Sequence, residues 1–328
     1  MELEFKFPVF MAKFDRPVEA MYALGKKHSR FFRRLGNLSA LVGIVGMIVA
    51  AAFLVRGAIT IIGGGPAQVG IVVPGVRIPG SPIYIPLFEG LIAVFLLAIF
   101  HEGMHGIMAA AEGIKSKYTA LILFLFIPAA GVEIDEKKLE KKGSLTKIRI
   151  FSAGSMGNFI LALLCLGLLF PTSQVLDGLI EPEGLQVVNT TNLALSPGDV
   201  VLKINGRDVR SVDLLRDVLD DIGPEGAVEV TTKNATVFGK LTGEGKLGVY
   251  LQPQFHYKNF LGDVLGFLGR VLSISFQLNL GVGLINLLPL GILDGGRIMA
   301  ELSKKNYRLA SIATAILLIL NLAGPYLF

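Results

Sequence analysis

The sequence predicts a polytopic α-helical membrane protein of about five spans, with re-entrant β-hairpin or loop elements and one inserted, mainly β domain. Three observations predict this class. The 328 residues are 52% hydrophobic and only 17% charged, whereas soluble proteins carry about 25% charged residues. Five apolar stretches are long enough to cross a hydrocarbon core of roughly 30 Å. One internal segment, 171–258, instead mixes short strand-like runs with turn residues and carries 12 acidic against 8 basic side chains.

The chain begins with a basic segment, residues 1–34, that we interpret as a cytoplasmic arm. It lacks the apolar core and the small-residue cleavage site of a signal peptide, so we expect it to be retained. The first span follows at 35–55. Residues 63–86 are rich in Gly and Pro, and their β-branched runs at 71–73 and 83–85 predict a short re-entrant hairpin packed against helices.

The second and third spans are predicted at 87–111 and 150–170. Between them, residues 118–131 are apolar but short and are interrupted by Pro128. This pattern predicts a re-entrant or surface-lying loop rather than another span. Residues 35–170 therefore form the first part of the membrane domain.

The remaining chain contains the inserted domain and the second membrane part. Within 171–258, turn dipeptides separate several predicted strands, and a helix is predicted at 211–222. The membrane part 259–328 is predicted to hold a surface helix at 260–270 and then spans at 271–288 and 309–327.

The basic residues predict the orientation of the chain. They cluster in the arm, in the 112–149 loop and in the 297–308 segment. The positive-inside rule therefore places the N-terminus in the cytoplasm and the 171–258 domain outside a cell membrane. These loops account for the net charge of +5, so we expect the lipid bilayer, and no nucleic acid, as a partner.

A metal-binding pattern lies inside the second span. Two of the four histidines belong to it, and it reads His101-Glu102-Gly103-Met104-His105. Residues four apart share a helix face, so both imidazoles can reach one ion, while Glu102 can act on a metal-bound water. Ionisable side chains in hydrocarbon are costly and mark functional sites. The alternative is that this motif only marks the polar end of a helix.

A catalytic zinc takes three protein ligands and leaves its fourth position to water. We predict Asp294 as the third ligand. Of the other donors, His28 and His256 lie in segments away from the predicted spans, and Glu89 lies at the far end of its own helix. Asp294 could also be the N-cap of a helix that begins at Gly295, a role compatible with metal binding.

Three motifs follow one another along the chain. They are the His-Glu-x-x-His motif, a Gly-x-x-x-Asn element from Gly154 to Asn158, and an Asn-x-x-Pro-x-x-x-Leu-Asp-Gly element from Asn286 to Gly295. Together they resemble the site-2 protease family of intramembrane zinc metalloproteases over about residues 60–328. The resemblance implies one Zn²⁺ bound by His101, His105 and Asp294, with Glu102 as the base. It also implies that Asn286 engages the substrate backbone, and we expect Asn158 to bind substrate as well.

The inserted domain resembles a PDZ domain. The resemblance rests on the run from Pro197 to Gly206 and on the order of strands and helix. PDZ domains bind extended peptide ends by adding a strand to a sheet edge. The alternative is a steric filter that binds no peptide.

These features predict a zinc metalloendopeptidase that hydrolyses peptide bonds within transmembrane segments of membrane-protein substrates, as in regulated intramembrane proteolysis. The 63–86 and 118–134 segments are candidates for pairing with the unwound substrate. Two other classes stay open, a membrane metal-ion transporter and a non-catalytic PDZ scaffold. Transporters also bind ions near the membrane midplane, but the sequence has no visible inverted repeat, and a transit site does not need Glu102.

Overall fold

The protein, described from a computed structural model over residues 2–66, 69–78, 84–124 and 127–326, divides into two units. One unit is Met1–Phe170 with Leu268–Phe328, and the other is Pro171–Phe267. In chain order, the elements up to the second unit are β1 (Glu2–Lys6), β2 (Val9–Phe14), α1 (Arg16–Lys27), α2 (Ser29–Ile62), α3 (Leu87–Ala111), β3 (Thr119–Phe124), β4 (Ile127–Val132), α4 (Glu136–Glu140) and α5 (Ser144–Asp177).

The elements that follow are β5 (Ile180–Thr190), β6 (Val200–Ile204), β7 (Arg207–Asp208), α6 (Val212–Ile222), β8 (Ala227–Thr232), β9 (Thr236–Lys240), β10 (Val249–Tyr257), α7 (Phe260–Asn286), α8 (Asp294–Leu302) and α9 (Lys304–Ala323). A short 3₁₀ helix, Gly324–Tyr326, follows α9.

Five helices in the described part of the chain, α2, α3, α5, α7 and α9, are long and apolar enough to cross a membrane. This number of candidate spans agrees with the predicted number. Helix α3 has the predicted bounds, whereas most of the others extend past the predicted apolar cores. Helix α7 runs unbroken through 260–270, so a separate surface helix there is wrong. A helix continues past the hydrocarbon edge because nothing in the polar headgroup region requires its backbone hydrogen bonds to stop.

The paired β structure lies one loop later than the predicted hairpin. In the described residues of the 63–86 segment there is only an isolated bridge between Val73 and Val76, so the strand predicted at 71–73 is wrong. The run at 83–85 begins outside the described residues. Strands β3 and β4 instead pair antiparallel where a loop is predicted. Pro128 lies in β4, which is an edge strand, and an edge strand tolerates the missing N–H of proline.

The N-terminal segment is folded rather than extended. Strands β1 and β2 form a hairpin that adds to β3, giving a four-stranded antiparallel sheet of order β1-β2-β3-β4. Helix α1 then packs closely on α3. A side chain at Gly25 would place its Cβ only 2.5 Å from the Ile107 carbonyl oxygen. The segment predicted as an arm is thus part of the membrane unit.

An ion-pair network around the buried Glu112 carboxylate joins three spans at one end. Glu112 follows directly after α3, is 7% exposed, and accepts a 2.9 Å hydrogen bond from the Arg149 guanidinium of α5. Arg33 of α2 lies 3.7 Å from the same carboxylate and donates to the Ala111 carbonyl at 3.2 Å. Arg149 also donates to the Asn37 side chain. These contacts set the lengthwise register of α2, α3 and α5.

Small residues bring α2 close to the other helices, as is usual in membranes. The Ser39 and Ser152 hydroxyls are 2.9 Å apart and buried. A Cβ at Gly43 would lie 2.7 Å from the Ser152 Cβ, and one at Gly46 would lie 2.5 Å from Leu287. Larger side chains at these glycines would push the spans apart.

The second unit contains a sheet of order β10-β5-β6-β8-β9, with β7 paired to β6. Its core includes completely buried apolar side chains such as Leu185, Val201 and Ile204. Helix α6 begins at Val212, and the Ser211 side chain caps it by accepting from the Leu214 N–H at 3.3 Å. The strands and helix predicted here are therefore present, while the likeness to a PDZ domain stays a prediction.

Candidate metal centre

Three predicted ligands meet in the membrane unit although they are far apart in sequence. His101 and His105 lie on one face of α3, and Asp294 is the first residue of α8. The His105 Nε2 atom is 3.3 Å from His101 Nε2 and 3.1 Å from Asp294 Oδ2. The His101 Nε2 atom is 3.3 Å from the same Oδ2. Within the described part of the chain, this is the group able to hold a metal ion.

The size of this triangle fits zinc. Ligand atoms about 2.0–2.1 Å from a tetrahedral zinc lie roughly 3.3 Å apart, which matches the three observed separations. Two neutral imidazoles and one carboxylate are also a donor set that zinc accepts at catalytic sites. Both histidines are 8% exposed, so the donors are already withdrawn from bulk water.

The bend before α8 explains how Asp294 reaches the histidines. Helix α7 ends at Asn286, and Pro289 lies in the irregular turn that follows. A Cβ at Gly295 would be 2.0 Å from the Leu287 carbonyl oxygen, and one at Gly296 would be 2.1 Å from that of Leu290. Only glycine allows α8 to start against this turn. Leu293 is the N-cap and makes no side-chain cap bond, so the N-cap interpretation of Asp294 is wrong.

Helix α5 contacts His105, the second histidine of the motif, through a backbone carbonyl. His105 Nδ1 is 2.7 Å from the Ile150 carbonyl oxygen. A carbonyl can only accept, so Nδ1 carries the proton and Nε2 presents its lone pair towards Asp294 and His101. This is the tautomer that a metal-binding histidine needs.

Asn158 supports the other histidine. Its side chain is completely buried, and its amide contacts His101 Nδ1 with Nδ2 at 3.2 Å. The Asn158 Oδ1 atom is buried and has no hydrogen-bond partner among the described residues. In this orientation the amide donates to Nδ1, which leaves the His101 proton on Nε2. Rotation of the amide by 180° would put Oδ1 on an Nδ1–H and free Nε2 for a metal.

Glycines of α5 let the histidines pack this closely. A Cβ at Gly154 would lie 2.3 Å from His105 Nε2 and 2.6 Å from His101 Cε1. A Cβ at Gly157 would lie 2.7 Å from the Phe100 carbonyl oxygen and from Met104. The Gly-x-x-x-Asn element therefore forms the wall behind the metal centre, and buried Asn158 is placed to orient His101 rather than to reach a substrate.

Glu102 is held at the side of the same centre. The Val132 N–H of β4 donates to Glu102 Oε2 at 2.9 Å. The sequence analysis gave no role to Val132, because the contact uses its backbone N–H and nearly every residue type has that group. The contact brings the edge of the β1–β4 sheet directly to the predicted base.

These side chains open onto a cavity of about 450 Å³. Its lining includes the three donors, Glu102, Asn286 and the β4 residues 129–132. Asn286 therefore lines the same cavity as the metal donors, and its role towards a substrate stays a prediction. Arg297, one turn after Asp294, also lines the cavity, and its guanidinium lies 5.5 Å from the centre of the Phe151 ring. The sequence analysis missed Arg297, although its spacing of three from Asp294 on a helix places it on the same face.

The fold and this centre define a class of protein. A His-Glu-x-x-His motif inside an apolar helix, completed by a carboxylate from a second membrane segment, is the arrangement of a membrane metallopeptidase. Comparison with known families agrees, since the model of peptidase family M50 matches residues 89–323. The chain belongs to peptidase family M50, whose members are membrane metalloproteases of the site-2 protease type. With five apolar helices in the residues that the structure describes, it is a multi-pass membrane protein.

Two curated relatives are similar to parts of the chain. An uncharacterized protein of Methanocaldococcus jannaschii is 31% identical over 222 residues, which are 64% of this chain and 56% of that protein. A membrane-bound transcription factor site-2 protease homolog of Arabidopsis thaliana is 31% identical over 142 residues, 42% of this chain and 27% of that protein. The chain therefore matches about half of one relative and about a quarter of the other.

Proposed function

We propose that this chain is a zinc endopeptidase that hydrolyses peptide bonds within membrane-spanning segments of other membrane proteins. The observation that carries the proposal is the position of Glu102, which lines one cavity with His101, His105 and Asp294 between apolar spans. Three donors alone would suit metal storage or transport. A carboxylate beside them, held by a backbone N–H, is what hydrolysis requires.

The roles of the residues follow from their positions. His101, His105 and Asp294 would hold a zinc ion, and the bound ion would supply a Lewis acid for the scissile carbonyl and for a water. Glu102 takes the proton from that water and delivers it to the leaving amine. The Val132 N–H holds Glu102 Oε2, and this contact supports Oε1 as the oxygen that transfers the proton. Asn286 faces the cavity and offers its amide to the substrate backbone.

The substrate backbone must be extended at the bond that is cut, because a helical peptide bond is shielded by its own turn. We infer that the unwound segment pairs with β4. This strand is the edge of its sheet, and its residues 129–132 line the cavity. Edge strands bind extended peptides through main-chain hydrogen bonds. The 63–86 segment, where the described residues show no paired strands, is the weaker candidate.

The orientation and the second unit belong to the same proposal. The basic residues favour a cytoplasmic N-terminus and a second unit outside the membrane. There, the PDZ-like unit would bind extended peptide ends or exclude bulky substrates. Transmembrane proteins are thus the proposed substrates, and the bilayer is the medium in which they reach the cavity.

The experiment compares the full chain with its Glu102→Gln variant in detergent, using a panel of single-span peptides and measuring bound zinc. We expect the variant to keep its zinc and to lose about 10²–10⁴-fold in cleavage rate, the usual contribution of a general base. Glu133→Gln is the matched control, since Glu133 forms an exposed pair with Lys117. That control should cleave like the wild type.

A parallel measurement of zinc uptake by the same proteins in sealed vesicles completes the experiment. Four outcomes would contradict the proposal. Cleavage by Glu102→Gln at the wild-type rate would exclude Glu102 as the base. Absence of zinc from the wild type would undo the site assignment. Zinc uptake into sealed vesicles by both proteins, with no cleavage by either, would favour the metal-ion transporter, and zinc binding without cleavage or uptake would favour the scaffold.

A further inference from the structure

Residues 2–14 form a hairpin with two chemically different faces. In the antiparallel register, Leu3 pairs with Ala12 and Phe5 with Phe10. These pairs continue across β3, since Ala12 lies opposite Leu121 and Phe10 opposite Leu123. Directly opposed residues share a face of the sheet. The result is an apolar face made of six side chains: Leu3, Phe5, Phe10, Ala12, Leu121 and Leu123.

The opposite face of the hairpin carries all of the charged residues of its two strands, together with Val9 and Met11. Glu2 and Glu4 of β1 lie on it, and both pair with Lys13 of β2. The Lys13 ammonium also lies 4.9 Å from the centre of the Tyr118 ring. Charge on one face and large apolar side chains on the other indicate a sheet placed between water and an apolar medium.

The apolar face is largely uncovered. Phe5 is 73% exposed, Leu3 is 54% exposed and Phe10 is 40% exposed. The turn residue Phe7 is 79% exposed. Soluble surfaces carry single exposed apolar residues, but a contiguous aromatic patch of this kind marks a contact with something apolar.

The position of the face along α3 identifies that medium. Phe10, Ala12, Leu121 and Leu123 line one groove together with Val94, Phe95, Ala98 and Ile99 of α3. These α3 residues lie near the middle of the 25-residue span. Phe95 and Ile99 are themselves 50% and 45% exposed on that side. The sheet face is therefore continuous with the lipid-facing side of a transmembrane helix, close to its midpoint.

We infer that the N-terminal hairpin is embedded in the bilayer, with its apolar face against lipid acyl chains and its charged face against water. A cytoplasmic tail would not lie at this depth. Open sheet edges do not face hydrocarbon, so the outer edge of β1 must follow the charged, hydrated side. The hairpin adds two strands to the sheet whose other edge strand, β4, contacts Glu102. The inferred position of the hairpin does not depend on whether the metal centre is catalytic.

The chain contains no tryptophan, so a single introduced tryptophan reports on one position. Phe5→Trp tests the apolar face. Glu4→Trp is the matched control on the opposite face of the same strand, and Lys13 keeps Glu2 as a partner in that variant. Phe238→Trp, 75% exposed in the second unit, is the reference for water. Each full-length variant is reconstituted in phosphatidylcholine vesicles whose acyl chains are brominated, and acrylamide is the aqueous quencher.

We expect Phe5→Trp to emit at shorter wavelength than the other two and to lose most of its emission to the brominated lipid. Glu4→Trp and Phe238→Trp should be quenched mainly by acrylamide. Two results would overturn the inference. Quenching of Phe5→Trp by acrylamide alone would place the face in water. Protection of Phe5→Trp from both quenchers would show that protein, such as a second copy of the chain, covers it.

Discussion

Replacing Gly154 by alanine tests how the metal centre is built. The added Cβ would lie 2.3 Å from His105 Nε2, 2.6 Å from His101 Cε1 and 2.7 Å from His101 Nε2. Ordinary van der Waals contact begins at 3.4 Å, so the shortest contact is 1.1 Å (3.4 minus 2.3) too close. The overlap falls on the atom predicted to bind the metal.

The structure offers no easy relief for this overlap. Both rings are held from behind by the same helix, His105 by the Ile150 carbonyl and His101 by Asn158. Rotation of a ring would therefore break its supporting hydrogen bond, and a shift of α5 would disturb both. Loss of one such support costs about 10–100-fold in metal affinity. We expect Gly154→Ala to bind zinc at least about 100-fold more weakly than the wild type, which corresponds to about 2.7 kcal/mol of binding free energy.

Gly167→Ala is the matched control for this substitution. Gly167 lies in the same helix, and nothing lies within 4 Å of a Cβ built there. It should leave zinc affinity unchanged and, from helix propensity, stabilise the helix by up to about 1 kcal/mol. Zinc affinity is measured by competition with a fluorescent chelator, and metal content is measured per chain. Wild-type affinity in Gly154→Ala, or equal loss in both variants, would refute the steric reasoning.

Two further predictions concern Asn158 and the buried ion pair. Asn158→Leu should lower zinc affinity about 10–100-fold, whereas Asn158→Asp, which keeps an acceptor oxygen for His101, should retain most of it in chelator competition. Equal loss in both variants would show that volume, not the acceptor, matters. Glu112→Gln leaves Arg149 without its charged partner and should destabilise the protein by about 3 kcal/mol, seen as a lower Tm in detergent. Glu136→Gln, on a charged helix, is the control, and equal Tm values would contradict a structural role for the pair.

Local pattern predicted the membrane helices and the strands of the second unit, and it failed for the strands of the membrane unit. A span needs only a long apolar run and satisfies its own backbone hydrogen bonds, so the five helices could be read from composition. A strand needs a partner that pattern does not specify. The 71–73 run looks as strand-like as β3, yet it has no ladder among the described residues, while β3 gains β4 on one side and β2 on the other.

Part of the metal centre could be predicted from the sequence, and part of it could be found only in the tertiary structure. The two histidines and Glu102 share one turn of α3, so their proximity follows from helical geometry alone. Asp294 lies 189 residues from His105 along the chain. It was predicted as the third ligand from the motif that contains it, because helical geometry says nothing about residues so far apart. The Ile150 carbonyl, the Val132 N–H and the close approach at Gly154 complete the centre. The sequence did not indicate them, because every residue type has the same backbone groups and because close packing depends on the tertiary structure.

The sequence by itself determined the class of protein, the five spans and the residue types of the metal centre, because hydrophobicity and helical spacing are local properties. Only the tertiary structure decided that the N-terminal residues join the sheet next to Glu102 and that α5 orients both histidines. It also decided that Asn158 is buried behind His101 instead of facing the cavity. These outcomes depend on which surfaces pack together, and packing is set by close contacts between segments far apart in the chain.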